Sequence, residues 1–242
     1  MRVTAAEGSG DSEPAWSPDG KTIAYVTCPG ADAALLSGSG FATPHLAVAP
    51  ADGSGAASVT VLTKELDRNV SDPFWSEDGK RILFRIEDSG RVELASINPQ
   101  GNDFERMLQG GFAVGGVHAA GGLAATVISN PHAPGEVHLL NTWDGGSLRK
   151  LTAVNDAWLS ELQLGSVTKH SFACKDTREY THVGHRPIKL DTVNDEVEMF
   201  VHAPVGFEGT VGAGLKRPTL LWIHVRCPAR CCVWTLPSSE HR

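Results

Sequence analysis

The sequence has little positive charge. Lys and Arg number 21 against 28 Asp and Glu, a formal net charge of −7 at pH 7, and no basic run offers a stripe that could neutralise phosphates. Nucleic acid is therefore not an expected partner. The N-terminal residues Met1-Arg2-Val3-Thr4 lack the basic, apolar and small-residue succession of a secretory signal, so the expected location is the cytoplasm. Long apolar runs are also missing. The charge-free stretch 108–131 is broken by six glycines and His118, which fits two short buried strands better than a membrane helix, and no membrane association is expected. Five cysteines, an odd number, argue against a disulfide framework: Cys28 and Cys174 stand alone, and Cys227, Cys231 and Cys232 crowd the C-terminal tail. What remains, 41% hydrophobic and 20% charged residues, excludes a disordered or collagen-like chain.

The strongest internal signal is a repeat. Pro14-Ala15-Trp16-Ser17-Pro18-Asp19-Gly20-Lys21-Thr22-Ile23-Ala24-Tyr25 matches Pro73-Phe74-Trp75-Ser76-Glu77-Asp78-Gly79-Lys80-Arg81-Ile82-Leu83-Phe84 at seven of twelve positions. Each copy reads as a hairpin, with Asp-Gly at a turn needing positive φ and Ile-x-Tyr or Ile-x-Phe setting two apolar side chains on one face of the return strand. The Trp before each turn is expected to pack on a neighbouring sheet. A second strand pair follows each time: 45–48 with 59–62, 91–97 with 104–108, and 136–140 with 148–151. The closing Leu62, Leu108 and Leu151 stand 46 and 43 residues apart, which matches the period of four-stranded propeller blades. The third unit lacks the Trp-Ser-x-Asp-Gly signature but offers strands at 111–117 and 123–128 in the right order. The excess length of the first unit falls at 28–44, rich in Gly, Ala, Ser and Pro, and reads as a surface loop. These aromatics and turns are explained by architecture and carry no chemistry of their own.

Past Leu151-Thr152 the period stops. Residues 155–162 suit a short helical crossing, strands are expected at 169–174 and 196–202, and Pro218-Thr219-Leu220-Leu221-Trp222-Ile223-His224 suits a strand buried on both faces, as in an α/β sheet. Blades with Trp-Ser-x-Asp-Gly, then Asn155 with Leu159 and Leu162, then Ala203-Pro204-Val205-Gly206-Phe207, then Lys216 to His224, together resemble the propeller-to-hydrolase junction of the prolyl oligopeptidase family, the acylaminoacyl-peptidase and dipeptidyl-peptidase-like branch in particular. The resemblance implies a mainly β fold: a partial β-propeller of TolB/WD40-like blades, followed by the first strands of an α/β-hydrolase domain. It divides the chain into a propeller part of about three blades at 1–152, a crossing linker at 153–168, the start of a hydrolase domain at 169–224 and an atypical tail at 225–242. In the family the strand like 218–223 leads into His-Gly-Gly-Pro beside the oxyanion site. Here His224 is followed by Val225-Arg226-Cys227, where a Cβ would crowd a bound oxyanion, so His224 stands only as a remnant of that turn and the tail reads as foreign to the family. A second departure is an insertion at 177–195, which contains His182 and His185.

The residues that hydrolysis would need are missing from the sequence as read. A nucleophile elbow sets Gly two positions before and two after the Ser, and no serine here satisfies this; Ser147 has Gly145 before it but Arg149 after. No catalytic residues are therefore assigned. The ligand-type residues His182, His185, His224, His241, Cys227, Cys231 and Cys232 show no paired spacing, so no metal is expected, and Gly209 to Gly214 lacks the context of a nucleotide loop, so no cofactor is expected either. By resemblance the partners are peptides or acyl-peptides, whose access a propeller would restrict. Open strand edges also predict self-association. The competing expectation is a non-enzymatic TolB- or WD40-like module that binds protein, which should keep its period beyond Leu151.

Overall fold

A computed structural model describes residues 10–28, 43–54, 59–141, 147–176, 180–181, 187–188 and 193–206. Its first unit is an antiparallel sheet of β1 (Gly10–Trp16), β2 (Thr22–Cys28), β3 (His45–Pro50) and β4 (Thr60–Val61), hydrogen-bonded in that order. The second comprises β5 (Asn69–Trp75), β6 (Ile82–Asp88), β7 (Arg91–Ile97) and β8 (Glu105–Leu108). The third comprises β9 (Ala113–Ala120), β10 (Leu123–Asn130), β11 (Ala133–Asn141) and β12 (Leu148–Lys150). Each is an up-and-down blade, and blades 2 and 3 touch through one parallel bridge, Val92 to Ala113. The sequence period thus marks real blades, including the third, which lacks the signature.

Strand alternation stacks the blades. Ile82, Phe84 and Ile86 of β6 point toward blade 1 and join Ala24, Leu46 and Val48 in one buried cluster. Leu83 points the opposite way and joins Leu94, Val114, Ala124, Ile128 and Leu140 between blades 2 and 3. Phe84 is fully buried, and burial of a side chain of this size contributes about 2–3 kcal/mol. Residues 113–130 are strands, as expected, but half-buried ones: Val114, Ala124, Thr126 and Ile128 are covered while Gly116, His118 and Ala125 are exposed. One face has a blade against it and the other has none among the described residues.

The signature turn recurs atom for atom. Gly20 N–H donates to the Ser17 carbonyl at 2.9 Å and Gly79 N–H to that of Ser76 at 2.9 Å. Only the glycine of each Asp-Gly has positive φ, +70° and +69°. The Asp instead works through its side chain: Ser17 Oγ donates to Asp19 Oδ1 and Ser76 Oγ to Asp78 Oδ1, both at 2.7 Å, while each Ser Oγ accepts the N–H that closes the loop, from Thr22 or Arg81, at 2.9 Å. The Ser76 hydroxyl, followed by the Lys80 N–H, holds the Asp78 carboxyl down at about 2.

Position in the array corrects one expectation and separates the closing leucines. Trp75 does pack against blade 1, but Trp16 is 60% exposed, because no blade stands on its side among the described residues. Leu62 and Leu108 are buried, whereas Leu151 is 47% exposed, the corresponding absence at the other end. After blade 3 come α1 (Asp156–Leu159), β13 (Val167–Asp176), β14 (Tyr180–Thr181), β15 (Pro187–Ile188) and β16 (Val193–His202). β13 and β16 form one long antiparallel ribbon, in which Lys169 faces Phe200 and Asp176 faces Val193. Val193 to Asp195, within the insertion expected at 177–195, are paired into the ribbon.

Candidate functional site

The first strands of propeller blades line a central axis, and here they carry a polar string. β1 and β5 each bulge at the same place, between Ser12 and Ala15 and between Ser71 and Phe74. The extra residue is acidic, precedes a proline and is left-handed in both: Glu13 at φ +53° and Asp72 at +50°. Residues other than glycine rarely hold this conformation, Asp more readily than Glu, and the surroundings help to hold it. Glu13 Oε2 accepts the Asp72 N–H at 2.6 Å, Asp72 Oδ2 pairs with Arg85 Nη2 at 2.5 Å, and Arg85 Nη1 donates to the Val114 carbonyl at 3.3 Å. One chain of contacts therefore crosses all three blades. Beside it, between blades 1 and 2, lies a cleft of about 210 Å³ lined by Ser12, Glu13, Cys28, Asn69, Ser71 and Glu87. Its carboxylates suit a cationic or hydrogen-bond-donating guest.

The exit from blade 3 is clasped by a buried carboxylate. Glu136 of β11 accepts the Thr152 hydroxyl, the Asn155 N–H at 2.9 Å and the Asn155 side-chain amide at 3.1 Å. The Thr152 bond first, then the Asn155 N–H, holds the Glu136 carboxyl at about 2. The chain is thereby directed to the end of the blades that carries the β6–β7 and β10–β11 turns. There His132 Nε2 meets the Gly165 carbonyl at 2.8 Å, Ser89 Oγ donates to Glu198 Oε1 at 3.0 Å, and Lys169 pairs with Glu198. Phe200 packs on Gly90 so closely that a Cβ there would stand 2.6 Å from its ring.

Behind this contact sits a hub. Asp88 accepts from Arg68 Nε and Arg106 Nη1, both at 2.8 Å, and Arg106 also pairs with the buried Glu93. Burial pushes the Asp88 carboxyl up, but the bonds from Arg68, Arg106 and Ser89 outweigh it and hold it at about 2. The hub ties Arg68, Asp88, Glu93 and Arg106 together next to the residues that meet the ribbon.

His224, His182, His185, His241, Cys227, Cys231, Cys232 and the stretch from Gly209 to Gly214 lie outside the described residues. Among the described residues no three His, Cys, Asp or Glu side chains converge as a metal site requires, and no helix is long and apolar enough to cross a membrane. The polar string and the Glu136 clasp escaped the sequence reading. The first had a legible signal, the acidic residue before the repeated prolines; the second had none, since Glu136 is one unmarked strand residue.

No protein-family profile matches the chain. Among solved structures, the acylaminoacyl peptidase of Pyrococcus horikoshii superimposes with a TM-score of 0.51 at 15% identity over 67% of this chain and 23% of its own. An acylaminoacyl peptidase in complex with Z-Gly-Gly-Phe-chloromethyl ketone gives 0.54 at 16% identity over 83% of this chain and 25% of its own. The fold is the propeller fold of acylaminoacyl peptidases. Among curated sequences, the uncharacterized peptidase YuxL of Bacillus subtilis (strain 168) is 30% identical over 106 residues, 39% of this chain and 14% of that protein. The chain thus spans well under half the length of each of these peptidases.

Proposed function

We propose that this chain is the propeller part of a serine peptidase of the prolyl oligopeptidase family, acylaminoacyl-peptidase-like, whose blades gate the access of peptides or acyl-peptides to a catalytic α/β-hydrolase domain. On this reading residues 1–152 form the gate, 153–168 the crossing linker and 169–224 the opening of the hydrolase domain, with 225–242 as a divergent tail. The observation that carries it is the order of elements: three blades, an exit held by Glu136, then a ribbon that breaks the blade pattern and seats on blade 2 through Ser89, Gly90, Glu198 and Phe200. A purely protein-binding TolB- or WD40-like propeller would continue in blades after Leu151, whereas β13 and β16 pair only with each other among the described residues. The acidic cleft and polar string would line the path of a peptide, with its N–H groups and any cationic terminus as the features they recognise.

The triad is absent from this reading because no serine in the sequence has glycine at both flanking positions of an elbow. Chemistry would then come from residues that this sequence does not contain. The test is hydrolysis of acyl-peptide and X-Pro chromogenic substrates by the purified chain. The reading expects none; turnover that rises with purity and is blocked by a serine-reactive inhibitor would overturn it.

A further inference from the structure

Trp75 and Trp16 occupy one position of the repeat, each paired across its hairpin with the isoleucine of the return strand, Ile82 or Ile23. Trp75 shows what the position is for. Its indole leans on blade 1 and donates Nε1–H to the Ala15 carbonyl at 3.0 Å. Trp16 has no such partner among the described residues and is 60% exposed, while Ile23 and Tyr25 of the same face are already buried with Ala47 and Ala49.

The complementary surface exists at the other end of the array. Ala15 pairs with Ala24, whose side chain faces the next blade; on blade 3 the corresponding outward-facing pair is His118 with Ala125. The His118 carbonyl therefore stands where Ala15 stands on blade 1. Around it Leu123 is 44% and Val127 42% exposed, with the small, exposed Ala125 leaving room for an indole.

We propose that two copies of this chain pair head to tail, Trp16 of each docking on the blade 3 face of the other and donating its indole N–H to the His118 carbonyl. The interface continues the blade 1–blade 2 contact from one molecule to the next. It joins blade faces, and so differs from association through strand edges. Because Trp16 of each copy meets the blade 3 face of the other, the pair is reciprocal about a two-fold axis and closed. The three described blades of two copies make six, within the range of four to eight in which propellers close. A large, exposed tryptophan seated among small apolar residues is the usual anchor of an interface.

The test is analytical ultracentrifugation of the full chain, of Trp16→Arg, of Val127→Glu and of the two variants mixed. Both substituted side chains are substantially exposed, and circular dichroism checks that the strands are kept. The expected results are a wild-type species of twice 25.7 kDa, each variant monomeric alone, and a one-to-one pair in the mixture, because each variant retains the face the other has lost. Trp16→Phe, which loses only the donor, is expected to weaken pairing by about tenfold. A monomeric or polydisperse wild type, a variant that still pairs with itself, or a mixture that stays monomeric overturns the proposal.

Discussion

The indole Nε1–H of Trp75 donates to the carbonyl oxygen of Ala15 at 3.0 Å, joining two blades across a full repeat. This bond is why the Trp of the repeated motif stands beside the turn: the side chain spans to the preceding blade, and the turn fixes its direction. Replacing Trp75 by Phe should keep most of the apolar contact and lose the donor, lowering stability by about 1 kcal/mol. The same change at Trp16 should leave the unfolding midpoint of the monomer within experimental scatter, since that side chain is mostly exposed. Urea unfolding of the two variants under monomeric conditions tests the asymmetry; equal losses would contradict the stacking order described.

Asp72 holds φ at +50° while its carboxylate pairs with Arg85. Asp72→Asn keeps a side chain that tolerates this backbone and loses only the charge, so a loss below about 1 kcal/mol is expected. Asp72→Val puts a β-branched residue where it is a steric outlier, and about 2–3 kcal/mol should be lost. Thermal or urea unfolding separates them, and a Val variant as stable as the Asn variant would show that the bulge is not held in this conformation.

The Glu136 clasp should fail in acid. Its carboxyl sits at about 2 against an ordinary 4.5, so the folded state favours the ionised form; the stabilisation is complete above about pH 5 and is lost as pH falls from about 4.5 through about 2. Glu136→Gln removes that dependence and loosens the crossing segment at neutral pH. Amide exchange at 152–155 should then be faster at pH 7 in the variant than in the wild type. Unchanged exchange would show that the exit is held by other contacts.

Asp88 depends on pH with the same sign, between its ordinary 3.8 and about 2. Because two arginines converge on it, Asp88→Asn should lower neutral-pH stability by about 1 kcal/mol after allowance for solvent screening, and should flatten the acid limb of the stability curve. It should also loosen the seat of Phe200 on Gly90. A stability curve of unchanged shape would count against the hub.

Much of the fold was legible because the blade period is written in strand-length units. Ile82 and Phe84 alternate with Leu83 as a two-faced strand must, and the spacing of Leu62, Leu108 and Leu151 counted the blades even where blade 3 lacks its motif. What escaped was set by neighbours in space. Nothing local distinguishes Trp16 from Trp75, and only the presence of a blade on one side separates an exposed indole from an anchored one. Glu136 and Asn155 lie 19 residues apart, and their pairing follows from where blade 3 ends. The sequence reading gave the Asp of Asp-Gly a backbone role, whereas its side chain holds the turn.

The most direct test of the central claim, that this chain supplies blades and a junction but no nucleophile, is labelling of the purified protein with a fluorophosphonate probe, followed by intact-mass measurement. The account expects the mass of the unmodified chain. A stoichiometric, activity-dependent adduct on one serine would contradict it.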